Sequence, residues 1–352
     1  MPLDFIVIGS GQVVDKYWLP SQVDGSVKIT GIVSMEPEKS FRKRFPGFTG
    51  KYYHSMSADN TLVILASLAK KIRNLNVANV ATSDVRLFFT QKILGDNIFD
   101  TTRLFIEKPY AINLQDIKSF ADLLKHYSSR LHFSGKYANG RSDILNSVLP
   151  SRNPVKITGR LIEGTEYFDV IKDKIDKGYY QYLLDGPELD LGFHLLDVIC
   201  SVFQRSNGLK KIQLKEVCDL SRQTNGFEPN YGFGAILKAC LYDGSEICID
   251  LQAGKGNVPN QRFIESDYGD VTFHQEYTVR DSQDPVFRIE SGAKLAIIQH
   301  GEGYNYYAKE LHPKFFCKQT YRQQLDSLFM NKICLDIKTK RLTHLLASRP
   351  YA

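Results

Sequence analysis

The residue order predicts two domains in tandem: an α/β domain on a parallel sheet, then an α+β domain on an open, mainly antiparallel sheet. At 352 residues the chain exceeds what one core of ordinary size holds, so its length favours two. From Leu3 to about Lys136, short β-branched runs alternate with longer amphipathic stretches, the rhythm of βαβ units. Beyond about Gly140, helical stretches precede strand-like runs separated by Gly, Asn and Asp turns. The boundary is a change of pattern with no linker, and it sets the domains at 1–138 and 139–352.

In the first domain the strand-like runs are DFIVIG, KITGIVS, NVANVAT, RLFIEKP and LHFSGKY, with helices between them. The clearest helix spans about 113–127, because Ile117, Phe120, Leu123 and Leu124 share one face and Asn113 can cap its start. In the second domain, helices near 168–180 and 186–204 come with strands in KKIQLKEV, FGAILKACLY, SEICIDLQ, QRFIES and DVTFHQEY. A final pair of helices, about 313–332 and 336–347, is expected to pack back on the body, with the first domain as one place they can reach.

Composition excludes several classes of protein. Hydrophobic residues at 43% and charged residues at 24% are ordinary globular usage, unlike fibrous or disordered chains. The net charge of +6 is a small excess of 45 basic over 39 acidic residues. The densest basic run, KSFRKR from Lys39 to Arg44, reads as a solvated helix face rather than a nucleic-acid surface, and stays compatible with a phosphate-bearing small molecule. Six cysteines lie far apart without a C-x-x-C pair, the pattern of buried free thiols. A strand begins almost at once, with no secretion signal before it and no bilayer-length apolar stretch after it, so the expected compartment is the cytoplasm.

The run FIVIG leads directly into Gly9-Ser10-Gly11-Gln12-Val13-Val14. Gly9 permits a tight turn, and Gly11 lets amides at a helix N-terminus approach a pyrophosphate, as a Rossmann dinucleotide domain requires. The third fingerprint position is Val14 instead of Gly or Ala, which would push the helix off the strand; a glycine-rich βα turn without a nucleotide fits the motif equally well. The second strand ends at Ser34, where NAD-specific domains place an acidic residue for the ribose 2′-hydroxyl. Ser34 with Lys39 or Arg42 could bind a 2′-phosphate, a slight lean toward NADP. If Glu36 turned back to the ribose, NAD would be preferred.

Glu107-Lys108-Pro109 follows the strand RLFI and so sits at the carboxyl edge of the sheet. A lysine there can hydrogen-bond a reacting oxygen and stabilise charge that develops during hydride transfer. Alone, the tripeptide also fits a helix-starting turn with a solvated lysine. In Asp185-Gly186-Pro187-Glu188-Leu189-Asp190-Leu191-Gly192-Phe193-His194-Leu195-Leu196-Asp197, helical geometry puts Asp190, His194 and Asp197 on one face. Asp190 and His194 then form an acid/base pair, the alternative being a satisfied core histidine. No H-E-x-x-H partner motif accompanies them, and no metal is expected.

In the order G-x-G, E-K-P, D-x-G-x-H-x-x-D, these pieces resemble the glucose-fructose oxidoreductase/inositol dehydrogenase/MocA family over most of the chain. The resemblance implies a catalytic group of Lys108, Asp190 and His194, with Lys108 polarising the substrate oxygen whose proton His194 moves. It implies cofactor contacts at Gly9, Ser10, Gly11, Gln12, Val13, Ser34, Lys39, Thr82, Ser83, Glu107 and Lys108. It also implies dimers or tetramers through the second sheet. Where the family shows T-P-x-x-x-H, this chain has Thr82-Ser83-Asp84-Val85-Arg86-Leu87, so contacts there must differ. The G-Y-x-x-R-like segment is matched loosely by Gly135 to Arg141, with Tyr137 as a candidate substrate contact.

The function expected is NAD(P)(H)-dependent oxidation or reduction of a sugar, cyclitol or nucleotide-linked sugar, with no nucleic acid and no membrane as partner. The alternative is a non-catalytic dinucleotide-binding regulator or scaffold on the same fold. Tyr179 to Tyr182 and Tyr304 to Tyr307 are further candidates for a pocket lining.

Overall fold

The computed structural model describes residues 2–11, 13–23, 25, 27–134, 149–164, 185–203, 209–223, 227–276, 286–291, 294–299, 313 and 316–347. Gln12, the segment from Gly135 to Arg141 with Tyr137, the helix expected at 168–180, Tyr179 to Tyr182 and Tyr304 to Tyr307 lie outside the described residues. The chain divides into two compact units: Met1–Gly140 with Asn305–Phe329, and Arg141–Tyr304 with Met330–Ala352.

The first unit is built on β1 (Leu3–Ile8), β2 (Val27–Ser34), β3 (Lys51–His54), β4 (Asn76–Asn79), β5 (Arg103–Ile106) and β6 (Leu131–Phe133). They form a parallel sheet in the order β3-β2-β1-β4-β5-β6. Strand order reverses between β1 and β4, and such sheets bind ligands beyond the carboxyl ends of strands at that crevice. β3 is not among the runs read from sequence, because its KYYH is four residues long and has no buried position. The helices are α1 (Leu19–Val23), α2 (Glu38–Arg44), α3 (Ala58–Ala69), α4 (Ser83–Gly95) and α5 (Leu114–Tyr127). Asn113 caps α5 as expected, its side chain accepting from the Asp116 amide at 2.9 Å.

The core of this unit gathers Phe5, Trp18, Phe41, Phe105 and Phe316, with Phe5 edge-on to both Trp18 and Phe316 at 5.1 Å. Phe316 comes from the far end of the chain, and its neighbours cover the edge strand. Gln319 accepts from the Phe133 amide at 2.8 Å and donates to the Phe133 carbonyl at 2.7 Å. Gln324 donates to the carbonyls of Ser128 and Leu131, both at 2.8 Å. Backbone groups that β6 would leave open are thereby satisfied. Asn305–Phe329 group with the first unit.

The second unit contains β7 (Lys156–Glu163), β8 (Leu209–Asp219), β9 (Phe227–Leu241), β10 (Glu246–Gly256), β11 (Gln261–Asp267), β12 (Thr272–Glu276), β13 (Val286–Ser291) and β14 (Lys294–Gln299). The sheet order is β14-β13-β12-β11-β7-β10-β9-β8, and every pairing is antiparallel except β7 with β10. Helix α6 (Phe193–Phe203) lies against β7 at Gly159, where a Cβ would sit 3.0 Å from Leu251 and 3.4 Å from Leu195. That glycine lets helix and sheet approach closely.

A short α7 (Leu220–Gln223) follows β8, and α8 (Tyr321–Ala347) is one continuous helix instead of the expected pair. Nothing between Asn331 and Asp336 breaks helix; Met330, Asn331, Ile333, Cys334, Leu335 and Ile337 are all buried there. The apolar stripe widens to burial nearly all round, which a test for one-sided periodicity registers as an interruption. The expectation of buried thiols also needs correction. Among the described residues Cys334 is buried, Cys218, Cys240 and Cys317 are half-buried, and Cys248 is exposed. Cys240 and Cys248 take outward positions of β9 and β10, whose apolar alternation faces the other way.

Candidate functional site

Among the described residues, each unit carries a group of chemistry-bearing side chains at one end of its sheet. In the first, β1 ends in the Gly9-Ser10-Gly11 turn. Gly9 has φ +101°, and a Cβ there would also lie 3.2 Å from the Val80 carbonyl oxygen, so glycine is required twice over. Gly11 differs: a Cβ would meet nothing within 4 Å. Among the described residues its glycine answers no packing demand, which fits close approach of another molecule.

Val14 does not push the following helix out of the way. It is fully buried in the core, and the turn it opens, Val14–Trp18, is π-helical. A π turn is wider than an α turn and gives the bulky third position room inward. The Val14 and Asp15 amides both donate to the Gly11 carbonyl, at 2.9 and 3.4 Å.

At the end of β2, the Ser34 hydroxyl lies 2.7 Å from that of Ser10, which donates to Glu36 at 2.6 Å. Glu36 thus turns back onto the glycine turn. Lys39 is exposed, and Arg42 is taken up by Glu38 at 2.7 Å and the Phe48 carbonyl at 3.0 Å. The cation at this edge is Arg44, bonded to Glu36 at 2.5 Å, Asp15 at 2.6 Å and the Ser10 carbonyl at 2.9 Å. Burial alone would lower the Arg44 pKa, but hydrogen bonds and charge from Glu36 and Asp15 outweigh it and raise it. Arg44 was overlooked because it ends a basic run that reads as solvated surface.

At the end of β5, Glu107 is buried and Lys108 half-buried. The Glu107 amide donates to the Asn79 carbonyl at 3.2 Å, and the Lys108–Pro109 peptide is cis. Tyr110, buried beside them, donates its hydroxyl to the Ser134 carbonyl. Thr82 is the N-cap residue of α4 and Ser83 is buried in its first turn.

In the second unit, Asp190 lies in another π-helical turn, Glu188–Gly192, which leads into α6. The uniform α-helical face expected for Asp190, His194 and Asp197 is therefore broken at its first member. His194 and Asp197 are buried on α6. The Asp190 carboxylate accepts from Lys255 at 2.6 Å and from the Tyr231 hydroxyl at 2.8 Å. Lys255 also meets Glu163, its register partner on the parallel pair β7–β10, at 3.2 Å, and Glu163 meets Arg262 at 3.0 Å. A polar row, Tyr231-Lys255-Glu163-Arg262, thus crosses four adjacent strands, β9, β10, β7 and β11.

None of those four residues was singled out from the sequence. The available signal was strand parity: along β10 the inward positions read Ile247, Ile249, Leu251, Ala253, Lys255, and along β7 Ile157, Gly159, Leu161, Glu163. A charge that ends an apolar series points to a partner at that end of the sheet. The turn is held from its other side by Arg341 of α8, which pairs with Glu188 at 2.5 Å and Asp219 at 3.3 Å. Burial lowers the pKa of neighbouring Lys338. Among the described residues, no group of three His, Cys, Asp or Glu could hold a metal ion, and no helix is long and apolar enough to cross a membrane.

No family model and no curated protein matches the sequence. Solved structures do match the fold. KijD10, a 3-ketoreductase from Actinomadura kijaniata in complex with NADP and TDP-benzene, is 14% identical with a TM-score of 0.68, covering 96% of this chain and 98% of its own. The UDP-N-acetylglucosamine 3-dehydrogenase GnnA from Acidithiobacillus ferrooxidans is 12% identical with a TM-score of 0.68, covering 97% and 98%. A dehydrogenase from Chromobacterium violaceum is 11% identical with a TM-score of 0.65, covering 98% and 97%.

Proposed function

We propose that this chain is a nicotinamide-dependent oxidoreductase of the glucose-fructose oxidoreductase/inositol dehydrogenase/MocA type, acting on a secondary alcohol or ketone of a sugar. One observation carries the reading. The parallel sheet reverses its order at β1 and β4, and at that point a glycine turn presents Gly11 with open space where a side chain would be. Such a cradle fits a pyrophosphate, held by the amides at the start of the helix. Structures of the same fold support the substrate class, since KijD10 binds NADP with TDP-benzene and GnnA is named for UDP-N-acetylglucosamine. A nucleotide-linked sugar heads the candidates.

The 2′-position of the ribose falls to Ser34, Glu36 and Arg44. With its carboxylate turned back onto Ser10, Glu36 is the acceptor for a ribose hydroxyl, and Arg44 neutralises it. This favours NAD over the slight NADP preference expected from Ser34, Lys39 and Arg42. The ratio of Michaelis constants for the two cofactors decides it.

When bound, the nicotinamide donates or accepts the hydride. In this reading Lys108 donates a hydrogen bond to the reacting substrate oxygen and stabilises the negative charge that grows on it. His194 gives or takes the hydroxyl proton, and Asp190, held by Lys255 and Tyr231, orients the substrate and imidazole. That Lys108 and His194 serve one oxygen is the claim to test. Lys108→Ala and His194→Ala should each lower turnover about 10²- to 10⁴-fold on a TDP- or UDP-sugar while NADH binding persists. Unaltered turnover overturns the assignment.

The departure at Thr82 to Arg86 favours one other reading, a dinucleotide-binding regulator without chemistry. A wild-type chain that binds NADH yet converts no member of a broad sugar and nucleotide-sugar panel would support it. Assembly into dimers or tetramers through the outward face of the second sheet is part of the proposal, and light scattering on the purified protein tests it.

A further inference from the structure

Between the two departures from the family pattern, Ser83 in place of proline and Leu87 in place of histidine, stands a buried arginine, and its surroundings give it a task. Arg86 sits in the second turn of α4, close behind the strand end that faces the glycine turn. Its guanidinium donates to the Pro109 carbonyl and, at 2.5 Å, to the Ala81 carbonyl. These carbonyls belong to two loops far apart in sequence, the one after β4 and the one after β5. Burying a guanidinium is unfavourable unless its donors are taken up, and its planar fork fixes the spacing of whatever takes them.

The arginine's own backbone is fixed as well. The Arg86 carbonyl accepts from Asn79 Nδ2 and from Thr90 Oγ1, each at 2.9 Å. Asn79 ends β4, and its carbonyl accepts from the Glu107 amide at 3.2 Å. The circuit closes around one residue. Lys108 lies between Glu107, whose N–H is held by Asn79, and Pro109, whose C=O is held by Arg86.

We propose that Arg86 is a positioning residue, a clamp that ties the loop after β4 to the Glu107–Pro109 turn and so fixes the main chain carrying Lys108 at the cofactor edge. The inference rests on the reading of this edge as a dinucleotide site. A lysine carries its three donors on one nitrogen and lacks the spaced fork that meets both carbonyls at once, and glutamine is shorter and has only one amide nitrogen to donate.

The test is amide hydrogen exchange on the cofactor-free full chain, with NADH affinity by fluorescence beside it. In Arg86→Gln, exchange should quicken about tenfold or more in both segments, 80–83 and 107–111, with α5 and the second unit unchanged. NADH should bind about tenfold more weakly, with Arg86→Lys intermediate in both readouts. Uniform acceleration across the first unit indicates general destabilisation and overturns the clamp, as does unchanged exchange in either segment.

If Arg86→Gln does not fold, the wild type decides. Saturating NADH should slow exchange in both segments together, and slowing in one alone overturns the proposal. Failure of wild-type NADH binding would instead sink the dinucleotide reading, while the cofactor-free exchange of Arg86→Lys still tests the clamp.

Discussion

Arg44 in the first unit and Arg341 in the second face the same kind of surroundings and are put to opposite uses. Each pairs with two carboxylates, and one of the two belongs to a π-helical turn: Asp15 for Arg44 and Glu188 for Arg341. The Arg44 side chain is 38% exposed and its partner Glu36 24%; Arg341 is 3% exposed and Glu188 0%. In water the ions are screened and exchange partners readily, so the Arg44 group can admit a ligand. Shielded from water, an ion pair is costly to open, so the Arg341 group serves as a fixed brace for the turn that carries Asp190.

If that contrast holds, Arg341→Met has the largest effect. It leaves Glu188 buried without its cation and should destabilise the protein by about 3–5 kcal/mol in denaturant unfolding, little altered by 1 M salt. Arg44→Met should lose less than about 1 kcal/mol; equal losses for the two would erase the distinction.

Lys255→Met comes next. It removes the cation shared by Asp190 and Glu163 and should cost about 2 kcal/mol of stability, with reduced turnover and unchanged NADH affinity. Weakened NADH binding in this variant would mean the polar row acts on more than Asp190.

Glu36→Ala probes the solvated side and should shift preference about tenfold from NAD toward NADP, because Arg44 is released to meet a 2′-phosphate. A preference that stays put would remove Glu36 from cofactor selection. The smallest effect belongs to Arg42→Ala, where an exposed i,i+4 pair with Glu38 contributes about 0.3–0.5 kcal/mol. A loss above 1 kcal/mol there would show that exposure does not separate these clusters.

Much of the architecture was legible because it follows from local periodicity. Strands β1, β2, β4 and β5 are short and mostly buried, each with an apolar centre, and the end of β1 runs into glycines that permit one kind of turn. The edge strand β3, the C-terminal strands β13 and β14, and β7 carried weaker patterns and were not read. Of the chemistry, Lys108, Asp190 and His194 were named because their motifs are contiguous. Arg44, Arg86, Lys255 and Arg341 were not, because each acquires its role from partners elsewhere in the chain. Lys255 stands 65 residues from Asp190 and Arg341 stands 153 from Glu188.

The order of residues alone settled the parallel Rossmann sheet, the antiparallel second sheet, and the placement of a glycine turn and a lysine at carboxyl ends of first-domain strands. Those features need only hydrophobic spacing and the φ freedom of glycine, which act over a few residues. Folding in three dimensions settled the rest. It sent Phe316 back to the first core, joined α8 into one helix, widened two helical turns to π, and brought buried cations such as Lys255 and Arg341 to their anions. Charges taken out of water must find partners wherever the chain brings them, and no local pattern records which residue will arrive.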